Sequence, residues 1–349
     1  PVTGLLHEYE FKLAELIRQN MPNIEMFRML GSGTEAVMGA IRLARAHTGK
    51  KWVIKVGGGY HGWSDQMVYG LRVPGTGRRE ATGIPRGSTG YTQEVFPNEL
   101  GTLRRKLMLN RFRGGTAAVI VEPLGTRPVT PEYNAEVRKL CDEFGALLIF
   151  DEVVTGFRVG MGGAQGYFNV RPDLTIFGKC ITGGYLMAGG IGGAKDIMMT
   201  LVGGIGTSRK RAFVGGTLSA NPLSCVAGYH AIEEMARTNA PVIAGRAGDR
   251  LATGLKEIMK RLGLPYVVYN MGSIVHLQTS AVLLLSMRNP IKLMREVNAR
   301  KHLMEEMGAA CLAHGILTLA GSRIYTSMAD TDDVIDDALD RFESVFTLV

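Results

Sequence analysis

Paired cysteines, long apolar runs and blocks of basic residues are all missing from this chain, and each absence removes a class of protein. The four cysteines, Cys141, Cys180, Cys225 and Cys311, show no Cys-x-x-Cys spacing. Neither a disulfide framework nor a zinc site is implied, no metal is expected, and the cysteines read as reduced residues of a cytoplasmic enzyme. No stretch of 18 or more uninterrupted apolar residues occurs, so no membrane span is expected. Lysine and arginine number 40 against 32 acids, a net charge of +8, yet no basic run reaches five and Ser208-Arg209-Lys210-Arg211 is the densest cluster. That scatter suits attraction of anionic small molecules better than nucleic acid. No Gly-x-Gly-x-x-Gly follows a strand with an acid about 20 residues on, which argues against a dinucleotide-binding dehydrogenase. There is no internal repeat and no low-complexity tract. The start, Pro1-Val2-Thr3, is not a signal peptide. It enters abruptly before an amphipathic helix, so an N-terminal segment is expected to be missing.

Glycine, by contrast, is abundant: 46 of 349 residues, about twice the usual share of roughly 7%. The glycines cluster beside short apolar strands, as expected for tight strand-to-helix turns and close backbone approach to a ligand. Strands are expected at Phe27 to Leu30, Trp52 to Val56, Ala117 to Val121, Ala146 to Phe150, Leu174 to Phe177 and Ala188 to Gly193. Helical spacing lies between them, at 7–19, from Val37 to about Gly49, from Pro131 to Gly145 and from Leu223 to about Met235. Alternating strands and helices indicate an α/β architecture with a mainly parallel central sheet flanked by helices. Gly70 to Phe96 has little periodicity and reads as a functional loop, a gate or lid. Beyond the helix that ends near Met235 the pattern becomes α+β: helices at 239–262, 290–313 and 331–345, with strands at 266–269, 273–277 and 316–319. Two domains are expected, a large one over 1–236 and a smaller C-terminal one over 237–349.

Two strand ends carry chemistry. Lys179 follows the apolar run Leu174 to Phe177, and Asp151-Glu152 follows Ala146 to Phe150. Neighbouring parallel strands deliver their last residues to one rim, where ligands bind. A lysine there either leaves the core for solvent or forms a Schiff base with a carbonyl cofactor. An acid beside it matches what pyridoxal 5′-phosphate (PLP) needs: a carboxylate for its ring nitrogen and an amine for its aldehyde. Gly31-Ser32-Gly33-Thr34, opening a helix, is either a phosphate site or an ordinary N-cap. Gly57-Gly58-Gly59-Tyr60-His61-Gly62-Trp63 displays aromatic and imidazole groups at another strand end. Glu122 tips a third.

These residues resemble the class III aminotransferases of PLP fold type I, over nearly the whole chain. Within them the chain looks most like the branch holding glutamate-1-semialdehyde aminomutase and the β-amino-acid aminotransferases. The resemblance rests on Gly31 to Ala36, Tyr60-His61-Gly62, Glu122-Pro123, Asp151 to Arg158, Gly163 to Gly166, Pro172-Asp173-Leu174, Gly178-Lys179 and Gly216 to Pro222, in that order. It implies that Lys179 forms the Schiff base and then acts as general acid/base, and that Asp151 keeps the ring nitrogen protonated. Tyr60 and Val153 would cover the two ring faces. Ser32, Gly33 and Thr34 would grip the phosphate, with His61 and Glu122 beside the cofactor. Thr217 would reach the phosphate of the neighbouring subunit, which implies a homodimer with shared active sites. Val154 stands where many class III members have Gln; the aminomutase-like branch is also apolar there.

The expected reaction is amino transfer between an amino acid (α or β) and a keto acid. A substrate carboxylate calls for a guanidinium fork, for which Arg323 and then Arg28 are the candidates. Intramolecular amino transfer of the aminomutase type is the alternative, and a racemase or decarboxylase on the same fold a further one. A non-catalytic PLP- or effector-binding module is another, though no helix-turn-helix region accompanies it.

Overall fold

The apolar strands are too short to be helices and are buried along nearly their whole length, so each needs cover on both faces. The computed structural model describes residues 5–21, 23–71, 77, 79, 81–124, 130, 132–202, 211–278, 303–319 and 322–348. Contacts group the chain into two compact units, Pro1–Ala236 and Arg237–Val349.

In the first unit α1 (Glu8–Asn20) leads to β1 (Met26–Leu30), α2 (Gly33–Thr48) and β2 (Trp52–Val56). Next come β3 (Thr92–Val95), α3 (Leu100–Arg111), β4 (Thr116–Val121), α4 (Tyr133–Phe144) and β5 (Leu147–Asp151). Then follow α5 (Gly163–Phe168), β6 (Leu174–Gly178), β7 (Gly189–Gly193), α6 (Lys195–Met198) and α7 (Pro222–Thr238). The sheet order is β1-β7-β6-β5-β4-β2-β3. Strands β3, β2, β4, β5 and β6 run parallel, and β7 is antiparallel to both of its neighbours, β6 and β1.

Period-two alternation divides the core. Val53, Ala118, Ile120, Ile149 and Ile176 face α2, whose Ala36, Val37, Ala40, Ile41 and Ala44 complete one layer. Ile54, Val119, Val121, Leu148 and Phe150 face the other way, with Leu103 and Leu107 of α3 and Val137 and Leu140 of α4. Glycine ends two of these helices in the left-handed conformation, Gly49 after α2 (φ 68°) and Gly145 after α4 (φ 59°). β7 is nearly bare of side chains: a Cβ at Gly190 would lie 2.4 Å from Phe27 Cζ.

The second unit holds α8 (Ala240–Leu262), β8 (Val267–Met271), β9 (Ile274–Gln278), α9 (303–313), β10 (Arg323–Tyr325) and α10 (Asp332–Thr347). Its three strands form an antiparallel sheet in the order β10-β9-β8. Leu251, Leu255 and Met259 of α8 pack there against Val275 and Leu277 of β9 and Phe342 and Val345 of α10.

Two sequence expectations change, and a third is only partly described. The third strand of the small sheet is Arg323–Tyr325, and Leu319 makes only an isolated bridge to Arg323; of the apolar run at 316–319, Ile316 is buried in the core while Leu317 and Leu319 are exposed. The expected loop at 70–96 contains β3 at its end, and part of that stretch (72–76, 78 and 80) lies outside the described residues. Of the helix expected at 290–313, only 303–313 is described. Among the described residues no helix is long and apolar enough to cross a membrane.

Candidate active site

β5 and β6 are parallel neighbours with Asp151 in register with Ile176, so Asp151 and Lys179 leave the sheet at the same rim. Asp151 is 3% exposed and its carboxylate accepts from His61 Nδ1 at 2.7 Å and from the Val153 amide at 3.2 Å. His61 is fully buried, and burial lowers its pKa against the opposing pull of Asp151. A neutral imidazole donating from Nδ1 leaves Nε2 as an acceptor, and that atom is buried with no hydrogen-bond partner among the described residues. Lys179 is exposed and begins a single turn, Lys179–Thr182, with φ at +44°. This left-handed backbone is strained for a residue with a side chain, and such strain gathers at functional sites.

The other expected residues converge on the same rim. Ser32 is the N-cap of α2, its hydroxyl accepting the Glu35 amide at 3.2 Å, so the capping role is filled. Gly33 and Gly178 both crowd Val153: a Cβ on either would come within 2.8 or 2.9 Å of its methyl groups. Gly62, at φ +79°, lies against Thr34 so closely that a Cβ there would be 2.5 Å from its hydroxyl. Tyr60 is 58% exposed, and its amide donates to Glu122 at 3.3 Å. Ser32, Gly33, Thr34, Tyr60, His61, Glu122, Asp151, Val153 and Lys179 thus belong to one rim.

The three remaining expected residues lie on other segments. Thr217 is exposed on the turn before α7, a stretch that lies beside the start of α2 through Gly216 and Glu35. Arg28 is exposed on β1. Arg323 belongs to the second unit, where it stands in register with His276. His276, stacked on Tyr269 with centroids 4.7 Å apart, has its pKa lowered to about 4 by burial and by the Arg323 charge.

Sequence reasoning assigned no task to Glu152 or Lys55. Glu152 turns away from the rim and ties down α5, accepting from the amides of Ala164 (2.6 Å) and Gln165 (3.1 Å), from Gln165 Nε2 (3.2 Å) and from Thr155 Oγ1 (3.0 Å). Burial raises its pKa while these donors pull it down. Lys55 is buried within β2. The signal for it was present: a lysine inside Trp52-Val53-Ile54-Lys55-Val56 breaks an apolar strand as Lys179 ends one.

A free amine, a buried carboxylate held by an imidazole, and a glycine-lined helix start together suit a flat cofactor with an aldehyde, a basic ring nitrogen and a phosphate. The fit is physical: Gly33 and Gly178 leave Val153 against the rim, and the His61 contact orients the Asp151 carboxylate. Among the described residues no group of His, Cys, Asp or Glu is arranged to hold a metal ion.

Residues 2–346 match the family Aminotransferase class-III, and the chain belongs to it. It is 41% identical over 278 residues to "Glutamate-1-semialdehyde 2,1-aminomutase 2" of Halalkalibacterium halodurans, covering 78% of this chain and 63% of that protein. The chain therefore spans less than two thirds of that relative's length. Among solved structures it is similar to an omega-transaminase from Sphaerobacter thermophilus (TM-score 0.85, 27% identity, 99% of this chain and 79% of the other). A transaminase solved with PLP bound has the same fold (TM-score 0.82, 25% identity, 99% and 78%). The architecture is PLP fold type I, and PLP is the cofactor of the family.

Proposed function

We propose that this chain moves an amino group within one substrate, as a 2,1-aminomutase acting on an amino aldehyde such as glutamate 1-semialdehyde. The 41% identity to a protein of that name carries the reading. The apolar Val154, shared with the aminomutase-like branch, agrees with it. Transfer between a separate amino acid and keto acid is the second reading, favoured by the likeness to an omega-transaminase.

PLP in such a site supplies an electron sink for the carbanion left when a substrate carbon loses its proton. The protein's residues do the rest. Asp151 would hold a proton on the ring nitrogen, and His61 Nδ1–H keeps that carboxylate aimed. Nζ of Lys179 would hold the carbonyl carbon and, once displaced, carry a proton between substrate and cofactor carbons. The amides opening α2, with Thr34, would bind the phosphate, aided by the helix dipole. Tyr60 and Val153 would cover the ring faces, and Glu122 would keep the Tyr60 backbone in place. Arg323, or second Arg28, would bind the substrate carboxylate. Thr217 would complete the phosphate site of a second copy in a homodimer, a reading supported by its exposure on the turn before α7.

The test is turnover of glutamate 1-semialdehyde by the full-length enzyme with and without an added keto acid. Amino transfer with no second substrate supports the aminomutase; strict dependence on an acceptor with release of a keto product supports the transaminase. A visible band that borohydride and Lys179→Ala abolish, without turnover of any amine, would favour the non-catalytic binding module.

A further inference from the structure

A lysine enclosed in the middle of a strand needs partners for its charge. Lys55 is 0% exposed, and its Nζ donates to the Tyr69 carbonyl at 2.9 Å and to the Met67 carbonyl at 3.3 Å, 5.1 Å from the Tyr69 ring centre. On β3, Glu94 stands in register with it and is buried too, accepting from the Gly77 amide. The two carbonyls belong to the loop that carries Tyr60 and His61, which closes on itself through Gly58 N donating to Gly70 O at 3.0 Å. The ammonium therefore pins this loop from the strand beneath it.

Its charge acts on the imidazole as well. Burial is the largest influence holding His61 unprotonated; Lys55 adds to it, and Asp151 opposes both. Glu122 below the Tyr60 amide and Glu94 beside Lys55 are the other acids of this region, and Lys179 stands exposed at the end of β6. An imidazolium at position 61 would offset the Asp151 charge that a cofactor nitrogen needs; a neutral donor leaves it available.

We propose that Lys55 is a positioning residue, whose buried ammonium, anchored on the Met67 and Tyr69 carbonyls, pins the Tyr60–His61 loop and so holds the His61 Nδ1–H on Asp151. The importance of that contact rests on the reading of Asp151 as the cofactor's partner. The contact itself is measured without cofactor.

Long-range 1H–15N spectra of histidine-labelled, cofactor-free, full-length protein are recorded across pH for wild type, Lys55→Gln and Lys55→Arg. Gln keeps donors for the two carbonyls and loses the charge; Arg keeps the charge. Wild-type His61 is expected as the neutral Nδ1–H tautomer at neutral pH, protonating only in acid. Lys55→Gln protonates at higher pH, Lys55→Arg follows wild type, and the affinity of Lys55→Gln for added PLP falls about tenfold, as for loss of one charged contact. His61 signals in Lys55→Gln that superimpose on wild type at every pH, or an Arg variant that behaves like the Gln variant, would overturn the proposal. If Lys55→Gln does not fold, Glu94→Gln decides: with less opposing negative charge, His61 must stay neutral to lower pH than in wild type, and protonation at higher pH refutes the idea. Turnover plays no part in these spectra, so the aminomutase reading and this one fail separately.

Discussion

The two ends of the central sheet handle their charges in opposite ways. At the amino-terminal end, Asp173 accepts from the Leu148 amide at 2.6 Å and from Arg138 at 2.7 Å, and Arg138 reaches Asp142 at 2.6 Å. That cluster bonds β5 to β6 and α4 through charged pairs, with Arg138 Nε its one buried atom that finds no partner among the described residues. At the carboxyl-terminal end Lys179 is exposed on strained backbone, and His61 keeps a buried nitrogen without a partner among the described residues. Asp151 there is gripped but not neutralised by a basic side chain. One end spends its polar groups on cohesion; the other holds them in reserve, and local rules are broken where chemistry is done.

The sharpest way to break this contrast is at Lys179. Lys179→Ala should lower turnover about 10²–10⁴-fold, the range of a lost general acid/base, and remove the visible band. Lys179→Gly should do the same while leaving the protein as stable or about 1 kcal/mol more stable, because glycine accepts φ +44° without strain. A thermal melt that drops sharply in the glycine variant would mean that the residue belongs to the cohesive end after all.

His276, in the other unit, supplies a pH signature unrelated to either end. Its folded pKa of about 4 lies below the ordinary histidine value, so the unfolded chain binds more protons between those limits. Stability is therefore full above about pH 6.5 and falls as pH drops toward 4, by at most about 3 kcal/mol. Urea unfolding at pH 7 and pH 4.5 measures this, and His276→Phe, which keeps a ring against Tyr269, should flatten the difference.

Arg138→Leu should cost about 1–3 kcal/mol by leaving the Asp173 carboxylate short of a charged donor, with turnover per folded molecule unchanged. Reduced turnover without reduced stability would erase the distinction between the two ends. The smallest effect is at Ser32: Ser32→Ala removes the α2 cap and should cost about 1 kcal/mol. Its PLP affinity should fall only modestly, because the amides of the turn remain.

The rim was legible because strand ends are marked by abrupt changes in residue type. Lys179, Asp151 and Glu122 each follow an apolar run, and glycine announces the turns. Element positions were less legible where one pattern serves two structures. The apolar stretch at 316–319 has the composition of a strand, yet Arg323–Tyr325 takes that place because it is in register with β9. β3 hid inside a loop-like composition because Thr92-Gln93-Glu94-Val95 is mostly polar, and its pairing with β2 decides its state. The partners of Asp151 were invisible for another reason: His61 is 90 positions away in sequence. Spacing along a chain says nothing about which imidazole a carboxylate will meet.

β7 has a consequence for how this protein can change over generations. Its four glycines leave no room for side chains: a Cβ at Gly189 would sit 2.3 Å from the Ser32 carbonyl oxygen, and one at Gly193 would sit 2.5 Å from that of Asp173. The strand works as a spacer of fixed thickness, so its positions should be nearly frozen to substitution while the exposed faces of neighbouring helices drift. Engineers altering the substrate range would do well to leave this slab alone and vary what surrounds it.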